Sequence, residues 1–358
     1  MQKIKIVLCG GGTAGHIMPH IALIDGLKKI FDEIHYIGSV GGMEKGIMSV
    51  MPDVIYHEIK CVKLRRSLSP KNLGIPFKLM QGVFQAKKLL KIINPAVIFS
   101  KGGYVSVPVV WAAPKDCKVF IHESDMSMGL ANKLCSNRAN QVLCTFSALA
   151  QKLKKGIHTG TPLRSSIYKG SKEKIFNELN LGRRKVVLVM GGSLGSKKIN
   201  EVLREILNRL LVKYDIIHIT GKGNIDTRYN YADYHQFEFR TDIHDIFAAS
   251  DIVVTRAGSN AIFELAALKK PMLLIPLPKT QSRGDQIENS QFFSSNGLSE
   301  VLLQDDLTAS KLYDSIISLD QNKQKYINNM QSMPNPDGTK RVLEIILSAI
   351  TKNTKAEK

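Results

Sequence analysis

Short apolar runs rich in β-branched residues alternate with amphipathic stretches along the whole chain. In the first half, runs at 3–10, 34–38, 96–100, 118–122 and 141–144 have the length of buried strands. In the second half the same holds at 185–190, 215–220, 251–255 and 271–276. Segments 21–31, 199–211 and 261–268 space their apolar residues as helices do. Strands alternating with helices predict an α/β class, with parallel sheets covered on both faces. The pattern also restarts. Run 3–10 opens into Gly10-Gly11-Gly12-Thr13-Ala14-Gly15, and run 185–190 opens into Gly191-Gly192-Ser193-Leu194-Gly195. Two such openings predict two Rossmann-like domains in tandem, 1–161 and 162–339, hinged at the turn-forming Thr159-Gly160-Thr161-Pro162-Leu163. A last helix near 340–358 is then free to pack back on the first domain. The length of 358 residues agrees, since single cores stop growing at roughly 250–300.

Gly10, Gly12 and Gly15 stand at dinucleotide-fingerprint spacing after a strand and before a helix. The acidic residue that holds a ribose in nicotinamide-binding folds belongs at the end of the second strand, which here reads Tyr36-Ile37-Gly38-Ser39. An oxidoreductase is therefore disfavoured, while bare amides at a helix N-terminus still suit a phosphate or a sugar. Glycine loops recur after other strands, at Gly41-Gly42, at Lys101-Gly102-Gly103-Tyr104 and at Gly191-Gly192-Ser193. Loops at the carboxyl ends of parallel strands form the binding crevice of such folds, and loops from both halves predict a cleft between two domains. His16 closes the first loop, where a helix N-terminus keeps an imidazole neutral and able to accept a proton. His122-Glu123, at the end of another strand, is a second acid–base pair at the same edge. Arg164, after the hinge proline, reads as an anion clamp and Glu264 as an acceptor for a ribose diol. Either could equally be an ordinary solvated charge.

Charge narrows the partners. Lys and Arg number 50 against 31 Asp and Glu, a net +19. Residues 1–160 carry 22 and 9, net +13, and residues 161–358 carry 28 and 22, net +6. The excess predicts that a polyanion, an anionic membrane or a phosphorylated substrate meets the first half. A specific nucleic-acid binder is disfavoured, with Trp111 the only tryptophan and aromatics at 7%. Five scattered cysteines without a Cys-x-x-Cys pair predict reduced, mostly buried thiols and no zinc site. The first nine residues read as a strand rather than a secretory leader, and no run reaches the roughly 20 apolar residues of a spanning helix.

Taken together, Gly11-Gly12-Thr13-Ala14-Gly15-His16, Gly102-Gly103-Tyr104-Val105-Ser106, Gly191-Gly192-Ser193, Arg256-Ala257-Gly258 and the Asp285-Gln286 region are similar to the loops of the MurG family, in order and spacing over nearly the whole chain. The resemblance implies a GT-B glycosyltransferase of two Rossmann-like domains with an interdomain cleft. It implies inverting transfer of GlcNAc from UDP-GlcNAc to undecaprenyl-diphospho-MurNAc-pentapeptide in peptidoglycan synthesis. By position, Thr13, Ala14 and Gly15 would lie by the donor and acceptor diphosphates, with Gly12, Gly102, Gly103 and Tyr104 in the acceptor loops. Arg164 and Ser193 would meet the UDP diphosphate. Ser259, Asn260, Ala261, Ile262, Phe263 and Glu264 would hold the nucleoside, Arg240 would lie near the uracil, and Gln286 and Asp125 would meet the sugar. The base is His16 or Glu123. Ser124-Asp125 stands where the family usually has Gln-Asn, and Ala14, Leu194, Arg240 and Ile287 also depart from the commoner pattern.

With no Asp-x-Asp motif in the chain, the chemistry is expected to need no metal or other cofactor. Leu64, Arg65, Arg66, Phe77, Lys78, Met80 and Phe84 interleave bases with apolar groups, as a helix on an anionic leaflet does. Peripheral attachment to inner-leaflet lipids on the cytoplasmic face is the expectation, with cell-wall or division proteins as further partners. A UDP-sugar transferase with another lipid acceptor is the rival reading.

Overall fold

Apolar runs in the first half become the centre of one parallel sheet. Its strands are β1 (Lys5–Cys9), β2 (Glu33–Ser39), β3 (Val54–Ile59), β4 (Val97–Ser100), β5 (Lys118–Glu123), β6 (Gln141–Cys144) and β7 (Gly156–His158), ordered β3-β2-β1-β4-β5-β6-β7. Between them run α1 (Ala14–Leu27), α2 (Met43–Met48), α3 (Ile75–Ile93), α4 (Ser106–Trp111), α5 (Leu130–Ser136) and α6 (Ser147–Lys152). The structure, a computed structural model, describes residues 3–62, 74–192 and 195–356. Ile6, Leu8, Val97, Phe99 and Phe120 are buried in the sheet, as expected of strands covered on both faces.

The second half repeats the plan. It holds α7 (Lys172–Glu178), β8 (Lys185–Met190), α8 (Lys197–Glu205), α9 (Leu207–Leu210), β9 (Tyr214–Ile219), β10 (Tyr234–Phe237), α10 (Ile243–Ala249), β11 (Ile252–Thr255) and α11 (Ser259–Ala267). β12 (Met272–Leu274), α12 (Asp285–Ser295), β13 (Glu300–Val301), α13 (Ala309–Gln321) and α14 (Lys323–Ser332) complete it. This parallel sheet is ordered β10-β9-β8-β11-β12-β13. Its core joins Val187, Val189, Ile216 and Val254 to Ile199, Leu203, Leu312 and Ile316 of the covering helices.

The chain returns to the first unit in α15 (Thr339–Ala356), whose Val342, Ile345 and Ile346 are buried with Leu23 and Leu27 of α1. Gly26 makes that approach possible, because a Cβ there would come within 2.2 Å of Leu343. The two units are Met1–Arg164 with Asp337–Lys358, and Ser165–Pro336. The crossings thus fall a few residues inside the expected borders at 161 and 339. Segments 161–164 and 337–339 are fastened to each other: Thr161 bridges Asp337, and the Leu163 N–H donates to Thr339 Oγ1 at 3.0 Å and to Asp337 Oδ1 at 3.3 Å.

In each sheet the strand order reverses once, between β1 and β4 and between β8 and β11. Such switch points open a crevice beyond the carboxyl ends of the strands. Register sets the neighbours there: Cys9 pairs with Ile37 and Ser100, and Ser100 with Ile121. Gly10 after β1, Lys101 after β4 and His122 near the end of β5 are therefore brought to one edge.

Candidate active site

The first crevice is built from two glycine loops in contact. Gly12 has φ +93°, and a Cβ on it would stand 2.8 Å from the Tyr104 ring. Gly103 has φ +80°, and a Cβ on it would stand 2.3 Å from the Gly11 carbonyl oxygen. Glycine is needed at both positions for conformation and for space. Tyr104 is held from behind: its hydroxyl donates to Ser39 Oγ at 2.9 Å, and Ser39 Oγ donates to Glu44 Oε1 at 2.6 Å. The Ser39 N–H also donates to that fully buried carboxyl, at 2.7 Å. The sequence alone did not single out Glu44 or Ser39; the recurring Gly41-Gly42 beside them was the available signal.

Thr13 is the extended residue before α1, and exposed; Gly12, Gly15 and His16 are half-buried beside it. The His16 ring is fixed by its Nδ1, 3.0 Å from the Gly11 carbonyl oxygen and 3.2 Å from Thr13 Oγ1. A carbonyl only accepts, so Nδ1 carries a proton. The arrangement fixes the imidazole at the mouth of a glycine loop.

Glu123 is differently placed. It is buried, and its Oε2 accepts from the Gly129 N–H and Asn132 Nδ2, both at 2.9 Å. Its Oε1 accepts from the Asp125 N–H at 3.1 Å. Burial, and then Asp125, raise its pKa, against the pull of those hydrogen bonds. Both oxygens take part in shaping the 124–129 loop. His122 is likewise occupied: Nε2–H donates to the Gly160 carbonyl at 3.0 Å, and Nδ1 accepts from Lys101 Nζ at 2.6 Å. Burial, helped by the charge on Lys101, holds its pKa well below the ordinary histidine value. The expected second acid–base pair is thus a loop anchor. Asp125 is half-buried on the same loop.

In the second unit the loop after β8 brings Gly191 and Gly192 to the switch point; Ser193 and Leu194 lie outside the described residues. Arg256, at the end of β11, is buried and donates to Ser196 Oγ at 2.7 Å, Gln304 Oε1 at 2.5 Å and the Ile275 carbonyl at 3.1 Å. Burial lowers its pKa to about 10. It ties the loops after β8, β11 and β12 into one rim. α11 begins at Gly258, with Ser259 and Glu264 buried and Asn260 and Ala261 half-buried. Ile262 and Phe263 have side chains in the core, 0% and 2% exposed, with Phe263 edge-on to Phe293. Those two side chains pack the helix, so a nucleoside contact there is left to backbone. The Gln286 Oε1 accepts from the Leu277 N–H at 3.0 Å, which fixes its amide in the first turn of α12.

Arg240 stands apart from this rim, after the outermost strand β10. Two carboxylates take its guanidinium: Asp242 at 2.8 and 2.6 Å, and Glu178 at 2.5 and 2.9 Å. These ion pairs raise its pKa further. These bonds use four of the five guanidinium N–H groups, so the side chain expected near the uracil is also tied into the fold. Arg164 is the last residue of the first unit and half-buried.

α3 buries Ile75, Gly82, Ala86 and Leu90. Its opposite face leaves Phe77, Met80 and Phe84 at 79%, 59% and 73% exposure, followed on the same side by exposed Lys87, Lys88 and Lys91. Lys78 is exposed as well; Leu64, Arg65 and Arg66 lie outside the described residues. Trp111 and Leu130, on α4 and α5, are further exposed apolar side chains.

The glycosyltransferase family 28 N-terminal domain matches residues 6–144, and the glycosyltransferase family 28 C-terminal domain matches residues 186–343. A protein of Clostridium botulinum (strain Alaska E43 / Type E3) is 45% identical over 356 residues, covering 98% of this chain and 99% of its own. One of Clostridium tetani is 45% identical, covering 96% and 98%. Both carry the name UDP-N-acetylglucosamine–N-acetylmuramyl-(pentapeptide) pyrophosphoryl-undecaprenol N-acetylglucosamine transferase. Among solved structures, MurG of Acinetobacter baumannii superposes with a TM-score of 0.76 at 22% identity, covering 96% of this chain and 99% of that one. A UDP-GlcNAc 2-epimerase of Neisseria meningitidis gives 0.66 at 14%, covering 98% and 100%. These likenesses establish the GT-B type of fold.

Proposed function

The chain belongs to glycosyltransferase family 28, in its MurG branch, and from that membership we infer that it transfers GlcNAc from UDP-GlcNAc to the 4-hydroxyl of MurNAc in undecaprenyl-diphospho-MurNAc-pentapeptide. The observation that carries the inference is 45% identity, over 98% of the chain, to a relative named for this transfer. The substrates are accordingly UDP-GlcNAc and the lipid-linked MurNAc-pentapeptide.

In a single displacement the acceptor 4-hydroxyl attacks the anomeric carbon while UDP departs from the opposite face. The enzyme has to take one proton and stabilise a leaving diphosphate. His16 is the base in this reading, supported by its Nδ1–H on the Gly11 carbonyl at the mouth of the first glycine loop. General-base catalysis of this kind contributes typically about 10²–10⁴-fold. Backbone amides at the N-terminus of α1 and the guanidinium of Arg164 stabilise phosphate charge, while Glu264, Gln286 and Asp125 hold the donor. No metal takes part in this reading.

Among the described residues no helix is long and apolar enough to cross a membrane. The exposed Phe77, Met80 and Phe84 on α3, with lysines beside them, support peripheral attachment to an anionic leaflet. The cytoplasmic face follows from the nucleotide-sugar donor.

The test is release of UDP from UDP-GlcNAc by the purified protein in EDTA, with and without a short-chain lipid-linked MurNAc-pentapeptide. Release that requires the acceptor is expected. Binding of UDP-GlcNAc without acceptor-dependent release would pass the acceptor to the rival transferase reading.

A further inference from the structure

Lys101 is the most unusual side chain in the first unit. It is 2% exposed, yet it ends in an amine that is ordinarily charged. Desolvating an ammonium is costly, and a methionine would fill the same space without that cost. Its backbone begins the Gly102–Gly103 loop, and its N–H donates to the Cys9 carbonyl at 3.0 Å. Its side chain runs sideways to the next loop, where Nζ donates to His122 Nδ1 and to Ser124 Oγ, each at 2.6 Å. One residue thus fixes the spacing between the two loops on the β4 and β5 side of the crevice.

We propose that Lys101 is a positioning residue for the transfer reaction: it locks the Ser124–Asp125 segment against the Gly102–Gly103 loop, so that Asp125 stands where the donor sugar needs it. The proposal rests on the transferase reading above. Two features support it beyond the two contacts. First, His122 passes the constraint on, because its Nε2–H donates to the Gly160 carbonyl. Second, the charge faces carboxylates. Glu123 and Asp125 hold the Lys101 pKa up against burial, which pulls it down to about 7, while the charge in turn lowers His122 and His20. A neutral amine keeps N–H donors for His122 and Ser124 but no longer balances Glu123 and Asp125. Donor use should therefore weaken as pH rises through that range.

Wild type, Lys101→Met and Lys101→Gln are compared by acceptor-dependent UDP release between about pH 6 and 9, alongside thermal melts. In folded variants the expected result is kcat/KM for UDP-GlcNAc lowered about tenfold or more, chiefly through KM, because a small misplacement of a binding group is costly. The alkaline fall of the wild type should be missing from both. Folded variants within about threefold of wild type at every pH, with the same profile, would leave the transferase reading intact and overturn the role of Lys101. Failure of both variants to fold would also overturn it, by making Lys101 a requirement of the core alone. A wild type without activity would overturn the transferase reading and this proposal together.

Discussion

At the scale of single residues, His16 and Glu123 separate on hydrogen-bond accounting. Both were legible in the sequence as titratable groups, one closing the first glycine loop and one at a strand end, and the sequence had no means of choosing between them. Hydrogen bonds across the fold favour His16 in the proposed reaction. The Gly11 carbonyl takes the proton-bearing nitrogen of His16, whereas three donors from Asp125, Gly129 and Asn132 occupy the Glu123 carboxyl. The ion pairs of Arg240 were hidden for the same reason: its partners Glu178 and Asp242 are supplied by folding, and one lies 62 positions away in the chain. Lys101 left a trace, a charge between a buried strand and a Gly-Gly pair, but only the β4–β5 register shows what it reaches. The glycine positions were the most legible, since positive φ and close approach leave a signature in residue type itself. Gly12 and Gly103 satisfy both conditions.

At the scale of elements, α3 carries the prediction with the clearest separation of face from fold. Phe77 and Phe84 project away from the buried Ile75, Gly82, Ala86 and Leu90, so exchanging both for serine should leave stability within about 0.5 kcal/mol of wild type. Cosedimentation with vesicles containing anionic lipid should fall several-fold in the double variant, and salt should weaken what binding is left. Unchanged cosedimentation would remove α3 from the membrane contact. Strands show where pattern reading stops. The runs read from the sequence became the interior strands β1, β2, β4, β5, β6, β8, β9, β11 and β12, with ends shifted by a residue or two. The runs that escaped are β3, β7, β10 and β13, the outer strand at each end of each sheet. An edge strand is covered on fewer sides and needs no continuous apolar run. β3 reads Val-Ile-Tyr-His-Glu-Ile and β10 reads Tyr-His-Gln-Phe, both only partly buried.

At the scale of the whole molecule, the repeated glycine opening disclosed two domains, and a last helix returning to the first was part of that expectation. The exact crossings were not, because Thr161, Leu163, Asp337 and Thr339 meet across more than 170 residues of chain. Buried histidines in both units make stability depend on pH. Burial is the first cause that lowers His20 and His218 to about 3 and His122 well below its ordinary value. Unfolded, each titrates near about 6.5. The folded state thus binds fewer protons below that pH, and the stability contributed is complete above about pH 6.5 and lost as pH falls toward 3. Three such groups give a slope on the order of 4 kcal/mol per pH unit once the unfolded forms are charged. Thermal melts should therefore shift down by several degrees between about pH 7 and 5. A melting temperature constant over that range would contradict the neutral burial of these rings.

The central claim is that chemistry happens at the β1–β4 crevice, with His16 taking the acceptor proton. The most direct measurement sets UDP-GlcNAc affinity beside acceptor-dependent turnover for His16→Ala. The account predicts affinity within about threefold of wild type and turnover lower by about 10²–10⁴-fold. Turnover equal to wild type, with the variant folded, would contradict it.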